Sequence, residues 1–205
     1  LPEESLTHNA ATGALTQDVC YGVDITPIEV VVVGDGTFAT VNPPANLPSG
    51  MNFNFIPDVD NMGGIVTISG SPDALVNIPT TYTFDITTGA VGNTSICADD
   101  TETITINVNP QSSLVFSGGA GLENQESCDG TTIQEIRYTM GGGATDVTVN
   151  FQAGLGFTRA ANVRVNDPGD PANSVVIYGT PILGNTETQV FTYSITTVNP
   201  NTCLP

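Results

Sequence analysis

Four cysteines are the residues whose type and spacing most directly suggest covalent chemistry. They form two pairs, Cys20 with Cys97 and Cys128 with Cys203, at corresponding places in the two halves of the chain. One disulfide within each half is the favoured interpretation, although four cysteines allow three pairings and could also stay as free thiols. Metal binding is less favoured, because there is no CxxC motif and His8 is the single histidine. Disulfides form in oxidising compartments, so we expect an exported protein.

Carboxylates on glycine-containing turns make calcium the most credible ligand. Asp58 and Asp60 in PDVDNMGG, and Asp167 and Asp170 in VNDPGDP, supply oxygen atoms of the kind that hard cations prefer. Neither segment matches the EF-hand pattern, and Asp is also a common turn former. We therefore expect no obligatory cofactor and treat calcium at these four residues as a hypothesis.

Catalytic chemistry has little support. A nucleophilic triad needs a base, and His8 lies in a segment rich in Ala, Thr and Gly, where the other half of the chain has Phe116. Asp99, Asp100 and Glu102 lie close enough in sequence for carboxylate chemistry, but a charged surface hairpin explains them more simply. We predict that the protein is not an enzyme.

The charge balance restricts the partners. The chain has 21 acidic residues, three arginines and no lysine, which gives a formal net charge of -18. Such a charge repels nucleic acid and anionic membranes, so we expect no nucleic-acid partner. The apolar residues are 39% of the chain and follow a pattern, which argues against disorder. No apolar run approaches the roughly 18 residues of a membrane span, so we expect no membrane insertion.

An internal repeat determines where these residues lie. A first block recurs with a constant spacing of 108 residues, and the segments GIVTISGSP and TTYTFDITT recur as SVVIYGTP and QVFTYSITT with a spacing of 109. The first block contains Ser5, Leu6, Gly13, Gln17, Cys20, Gly22, Ile25 and Ile28. A repeat of this length is an ordinary domain size. We predict one domain over 1–109, with its core from about residue 17, and another over 110–205, with its core from about residue 125.

Apolar and polar residues alternate with a period of two, which indicates half-buried β-strands. In TETITINVN, for example, Ile104, Ile106 and Val108 alternate with polar residues. The fold class predicted is all-β, with two tandem immunoglobulin-like antiparallel β-sandwiches. The candidate strands of the first repeat are 25–33, 37–42, 51–56, 64–69, 79–88 and 101–108.

The second copy of the repeat is incomplete within this chain. Cys97 is followed by ADDTETITINVNP, whereas Cys203 is followed only by Leu204 and Pro205. We therefore expect the second sandwich to lack its last strand and to leave a sheet edge unpaired. Truncation from a longer array explains this most simply, and the alternative is that a neighbouring subunit donates the strand.

Three motifs carry a family resemblance. LPSGMNF (47–53), VTISGSP (66–72) and TYTFDITT (81–88) have counterparts in AGLGF, VVIYGTP and FTYSITT, and each copy begins with QxxCxG. Together they resemble the tandem immunoglobulin-like repeats of giant secreted surface adhesins of flavobacteria, such as gliding-motility adhesins. The resemblance implies type IX secretion and display as a filament, with no ligand site in the repeats. The second copy departs from the pattern by an insertion between Phe157 and Val175.

The function predicted is a structural repeat segment of a secreted cell-surface adhesin or filament, located outside the outer membrane and serving extension, display and cell adhesion or gliding. Its expected partners are neighbouring repeats of the same long chain or filament, and surface glycans or proteins. Two alternatives stay open. One is a pilus-like subunit that polymerises by strand donation, and the other is a carbohydrate-binding module of a secreted enzyme, which the absence of Trp disfavours.

Overall fold

The chain divides into two compact units, Leu1–Pro110 and Gln111–Pro205. This boundary lies one residue after the boundary expected from the repeat. The computed structural model describes residues 5–34, 38–59, 63–73, 76, 78–89, 100–119, 121–184, 188–201 and 203.

The first unit is a sandwich of two four-stranded sheets. One sheet has the order β1-β3-β6-β5 and the other has the order β2-β8-β7-β4, which is the arrangement of an immunoglobulin-like domain. All pairs are antiparallel except β2 with β8, which is parallel. The strands are β1 (Ser5–His8), β2 (Thr16–Cys20), β3 (Ile28–Val33), β4 (Phe38–Asn42), β5 (Met51–Pro57), β6 (Gly63–Gly70), β7 (Thr80–Gly89) and β8 (Thr101–Asn109).

The alternating residues of these strands form the core between the two sheets. In β7 and β8, Phe84 lies opposite Ile104, and both side chains are buried. Fifteen buried residues among those described form this core, and β8 alone supplies Ile104, Ile106 and Val108. The period-two pattern therefore predicted both the strands and the face that each strand buries.

All six predicted strands of the first repeat are present, with bounds that differ by at most three residues. Two further strands, β1 and β2, were not predicted. Each is short and mostly polar, and β1 buries only Leu6 in the core. Because β1 joins the sheet, the ordered fold begins before residue 17.

The second unit repeats most of this architecture. It has a four-stranded sheet in the order β12-β13-β10-β9 and a two-stranded sheet of β11 with β14. The prediction of an all-β, immunoglobulin-like tandem is confirmed. The strands are β9 (Ser113–Phe116), β10 (Ile136–Gly141), β11 (Asp146–Phe151), β12 (Val163–Val165), β13 (Ser174–Ile177) and β14 (Tyr193–Val198).

Two strands of the first unit have no counterpart among the described residues of the second. No described residue takes the place of β8 beside β14, and residues 124–128, which correspond to β2, are not a strand. In the first unit β2 pairs with β8, and the described residues of the second unit include no counterpart of β8 with which residues 124–128 could pair.

The insertion of the second unit contains a short helix, α1 (Arg159–Asn162), whose first turn is capped by the Thr158 hydroxyl. It leads directly into β12. Within the described ranges, no helix has the length and the apolar character needed to cross a membrane.

The role of β8 in the first core can be tested with Ile104→Ala. The substitution leaves a cavity between the sheets and should lower the free energy of unfolding of the first unit by about 2–5 kcal/mol. Thr101→Ala, on the exposed face of the same strand, is the matched control and should change it by less than about 0.5 kcal/mol. Urea unfolding measures both. Equal effects of the two variants would contradict the assigned register.

Candidate functional site

A glutamine in each unit holds two chain segments together in the same way. The Gln17 amide group donates to the carbonyl oxygens of Ala14 at 3.1 Å and Thr26 at 2.8 Å, and its oxygen accepts from the Thr26 N–H at 3.0 Å. Gln125 makes the corresponding three bonds, to Leu122 at 2.9 Å and to Gln134 at 2.8 Å in both directions. We call this arrangement the glutamine clamp. It explains why glutamine, with a donor and an acceptor, recurs.

Two glycines in each repeat support a second set of matching bonds. The Gly22 N–H donates to the Pro72 carbonyl at 2.8 Å, and the Gly130 N–H donates to the Pro181 carbonyl at 2.9 Å. Gly22 and Gly130 have φ angles of 73° and 74°, which a side chain would strain. The repeated QxxCxG and GxP motifs are therefore structural.

The strand-exit glycines complete this set. The Gly70 carbonyl accepts from Ile25 at 3.0 Å, and the Gly179 carbonyl accepts from Ile133 at 2.9 Å. Their φ angles are 105° and 146°, in the positive region that favours glycine, and a proline two residues later ends each strand.

The cysteines depart from the predicted pairing. Cys128 is a free and exposed thiol, so the expected Cys128–Cys203 disulfide is wrong. Cys203 is buried and disulfide-bonded, and so is Cys20. Cys97, the predicted partner of Cys20, lies outside the described residues. The prediction was wrong because it assumed that cysteines at equivalent positions of the two repeats form equivalent disulfides. Cys203 is buried next to the start of β9, and its carbonyl accepts a hydrogen bond from the Ser112 N–H at 3.0 Å.

The histidine and the acidic hairpin have structural contacts. His8 donates from its ring nitrogen Nε2 to the Gly13 carbonyl at 2.7 Å, which ties β1 to the loop that follows it. The Asp100 carboxylate accepts from the backbone N–H groups of Leu6 at 2.7 Å and Thr101 at 2.9 Å. Asp99 lies outside the described residues. These contacts occupy groups that the sequence left as candidates for proton transfer.

An ion-pair cluster that the sequence did not predict covers the outer face of the second unit. Arg137 on β10 and Arg164 on β12 lie on either side of Val176 of β13 in the strand register. Both guanidinium groups reach Asp170, from Arg137 at 2.9 Å and from Arg164 at 2.8 Å. Glu135 pairs with both arginines as well. We call these four charged residues the arginine–carboxylate cluster.

The cluster depends on the insertion, which brings Asp170 back over the sheet. The Asp170 side chain is only 6% exposed, and the ring of Tyr178 packs against Arg164, whose guanidinium carbon is 4.4 Å from the ring centroid. Hydrogen bonds from Arg164, followed by those from Arg137, hold the pKa of Asp170 below its usual value. The pKa of Glu135 is lowered as well, chiefly by its hydrogen bond from Arg164.

All three arginines of the chain are thereby paired. The chain has three arginines and no lysine, and the third, Arg159, pairs with Asp146. A sequence signal was available, because all three arginines fall in the second repeat and two of them, Arg159 and Arg164, lie within its insertion. Glu135 and Arg164 are 29 residues apart in the sequence, so the sequence alone did not indicate their contact.

The two segments proposed to bind calcium, one with Asp58 and Asp60 and the other with Asp167 and Asp170, have different surroundings. Asp170 accepts from two arginines, and a calcium ion there would have to displace both guanidinium groups. Asp167 binds the Gly169 N–H at 3.1 Å and lies outside the cluster. Asp58 is exposed, and Asp60 lies outside the described residues. Over the described parts of the chain, no group of three or more His, Cys, Asp or Glu residues could hold a metal ion.

Two tyrosines join the sheets of the second unit. The hydroxyl oxygens of Tyr138 on β10 and Tyr193 on β14 are 2.7 Å apart. Burial, followed by the hydrogen bond with Tyr138, raises the pKa of Tyr193. The corresponding residue of the first unit is Phe84, which is buried without a polar group. Tyr193 also contacts the ring of Phe151, at a centroid distance of 6.2 Å.

Comparisons with known proteins place few limits on the function. No protein family matches the chain by sequence, and no curated protein does either. Among solved structures, the chain is similar to the cadherin-like domains 1 to 4 of zebrafish RET, with 14% identity and a TM-score of 0.29, over 95% of this chain and 48% of that one. It is also similar to two tandem immunoglobulin domains of titin, with 11% identity and a TM-score of 0.29, over 97% of this chain and 98% of that one. The chain spans about half the length of the RET structure.

The glutamine clamp can be tested in the second unit. Gln125→Ala removes three hydrogen bonds and should lower the free energy of unfolding by about 1–2 kcal/mol. Gln125→Glu should destabilise as well, because a carboxylate cannot donate to two carbonyl groups. The control is Gln189→Ala, an exposed glutamine of the same unit. Thermal or urea unfolding measures the three variants. Full stability of Gln125→Glu would show that the donated bonds contribute nothing.

The cysteine assignment predicts a labelling pattern. Without reduction, iodoacetamide should modify Cys128 and leave Cys20 and Cys203 unmodified, because only a free thiolate reacts. Reduction in denaturant should expose all cysteines. Mass spectrometry of the digested chain locates the modified residues. Labelling of Cys203 in the unreduced protein would contradict the assignment.

The arginine–carboxylate cluster predicts a pH dependence. Asp170→Asn should lower the free energy of unfolding of the second unit by about 1.5–3 kcal/mol, as for hydrogen bonds to charged groups. Because the folded-state pKa of Asp170 lies below its unfolded value of about 3.9, this difference should be constant above about pH 5 and should shrink as the pH falls through the folded-state pKa.

Urea unfolding at several pH values measures this difference. The control is Asp167→Asn, which keeps an oxygen acceptor for Gly169 and should show little change at any pH. A deficit for Asp170→Asn that persisted undiminished at pH 2 would mean that the ion pairs are not its cause.

Proposed function

We propose that this chain is a structural repeat segment of a secreted cell-surface adhesin or filament, in which tandem immunoglobulin-like domains extend and display binding parts located elsewhere. The observation that carries the proposal is how the repeated residues are used. Gln17 and Gln125 make matching clamps, and Gly22 and Gly130 make matching turns. The repeat therefore maintains a fold rather than a reactive site, as repeat arrays do.

Two properties support export and surface location. Cys20 and Cys203 are disulfide-bonded, which suits an oxidising compartment. The net charge of -18, with every arginine already paired, leaves many carboxylates uncompensated at the surface. Such a surface keeps neighbouring molecules apart and soluble. The proposed location is the exterior of the outer membrane, reached by type IX secretion, with gliding or adhesion as the process served.

The proposed partners are neighbouring repeats of the same long chain, together with surface glycans or proteins contacted by other parts of it. A carbohydrate-binding module is supported less well, because such modules use exposed aromatic platforms. Phe38 is the one exposed aromatic residue among those described, and its ring packs over Gly89. Tyr178 is covered by Arg164.

The proposal is tested by replacing the chain in the parent protein of the source organism. Deletion of residues 1–205 in frame should weaken adhesion. An unrelated pair of immunoglobulin-like domains of the same length should restore it, because a spacer contributes only length and stiffness. If only the native sequence restores adhesion, the chain carries its own binding site and the proposal is wrong.

Location is tested separately, with antibodies against the chain. Labelling of intact cells is expected without permeabilisation. Labelling that appears only after permeabilisation would contradict the proposed surface display.

A further inference from the structure

The insertion of the second unit contains two peptide bonds of one chemically labile kind. Asp167 precedes Pro168, and Asp170 precedes Pro171. An Asp–Pro bond breaks more readily in acid than other peptide bonds, because the aspartate carboxyl group can attack its own backbone carbonyl. The proline nitrogen, which carries no N–H, also takes up a proton readily as it leaves. The structure distinguishes the two bonds.

The turn at the first bond brings its reacting groups together. The Asp167 carboxylate accepts from the Gly169 N–H at 3.1 Å, which places this carboxylate over the peptide group between Asp167 and Pro168. The Asp167 backbone carbonyl accepts from the Asp170 N–H at 2.9 Å. This donor points at the oxygen on which negative charge develops when the carbonyl carbon is attacked. Asp167 is exposed, so water can reach the site.

The second bond has the same residue types in different surroundings. The Asp170 carboxylate accepts from Arg137 at 2.9 Å and from Arg164 at 2.8 Å, and its side chain is 6% exposed. The hydrogen bonds from Arg164 and then Arg137 hold the pKa of Asp170 below its usual value. A carboxylate fixed in this way carries no proton for the leaving nitrogen and cannot turn toward its own carbonyl. We therefore expect the bond between Asp170 and Pro171 to be protected in the folded chain.

We infer that the folded chain cleaves itself in mild acid at the bond between Asp167 and Pro168. A carboxyl oxygen of Asp167 attacks the backbone carbonyl carbon of the same residue and forms a cyclic anhydride. The bond from this carbon to the Pro168 nitrogen breaks, and the nitrogen takes the carboxyl proton and leaves as an amine. Water then opens the anhydride, so that Asp167 ends the first fragment with its side-chain and terminal carboxyl groups. The inference does not rest on the proposed adhesin function.

The charged groups near the turn determine the pH at which this reaction occurs. Asp170 lies in the turn itself, and its partners Arg164 on β12, Arg137 on β10 and Glu135 pair with one another in the arginine–carboxylate cluster. Asp167 lies outside these ion pairs, so none of the three arginines holds it in the ionised form. Aspartate carboxyl groups gain a proton near about pH 4. Cleavage should be negligible at neutral pH and should accelerate as the pH falls toward this value.

The structure would hold the two products together. The fragment 168–205 carries β13, which pairs with β10 and β12, and β14, which pairs with β11. It also carries Asp170, whose partners Arg137 and Arg164 lie in the fragment 1–167. The arginine–carboxylate cluster therefore joins the two pieces across the cut. Cleavage would leave a nicked unit whose fragments part only when it unfolds.

The test is incubation of the full chain at the lowest pH at which circular dichroism shows the native fold, beside the same chain in urea at that pH. Mass spectrometry after denaturation measures cleavage at each Asp–Pro bond. The folded chain should give the fragments 1–167 and 168–205 about tenfold faster than cleavage at Asp170, because only the first turn orients the reacting groups. In urea, cleavage at Asp167 should fall about tenfold and match that at Asp170. Size-exclusion chromatography at neutral pH should show the folded products eluting together.

Two variants test the mechanism. Asp167→Asn keeps an acceptor for the Gly169 N–H but removes the attacking carboxyl group, and it should slow cleavage at least about tenfold. Pro168→Ala keeps the carboxyl group but replaces the leaving nitrogen, and it should also slow cleavage. Equal rates at the two Asp–Pro bonds of the folded chain would overturn the inference. So would unchanged cleavage of Asp167→Asn, or cleavage at Asp167 that is no faster in the folded chain than in urea.

Discussion

The pairing of β7 with β8 is the interaction on which the first unit depends. It places Phe84 and Ile104 opposite each other in the core, and β8 also provides the ladder that β2 joins. One strand therefore supports a sheet edge, part of the core and a neighbouring strand at once. In the second unit, where the described residues include no counterpart of β8, all three features weaken together.

The loop motifs depend on contacts outside the β-ladders. Gln125 bonds to Leu122 and Gln134, and the Gly130 turn bonds to Pro181. These contacts fix the chain between the β9 region and β10 even though residues 124–128 form no strand. The repeated motifs therefore act as local supports for the backbone, and the sheets are built between them.

Much of the fold was predictable from sequence, because apolar and polar side chains alternate along a half-buried strand and thereby show which face is buried. The alternation in 101–108 predicted β8 and its core residues. The short strands β1 and β2 escaped prediction because they bury few apolar residues. The arginine–carboxylate cluster escaped because Glu135 and Arg164 meet only through strand register. The cysteine pairing failed where equivalence between repeats was assumed, since Cys128 is free whereas the corresponding Cys20 is bonded.

The central claim is that, among the residues the structure describes, β7 is paired on both edges over Asp85–Thr87 and β14 on one. Native-state hydrogen exchange, followed residue by residue by NMR, tests it most directly. The account predicts slow exchange along β7 at Asp85 through Thr87, which pair with both β4 and β8, and alternation along β14, where every second amide points away from β11 and exchanges fast. Uniform slow exchange along β14, equal to that of β7, would contradict the account.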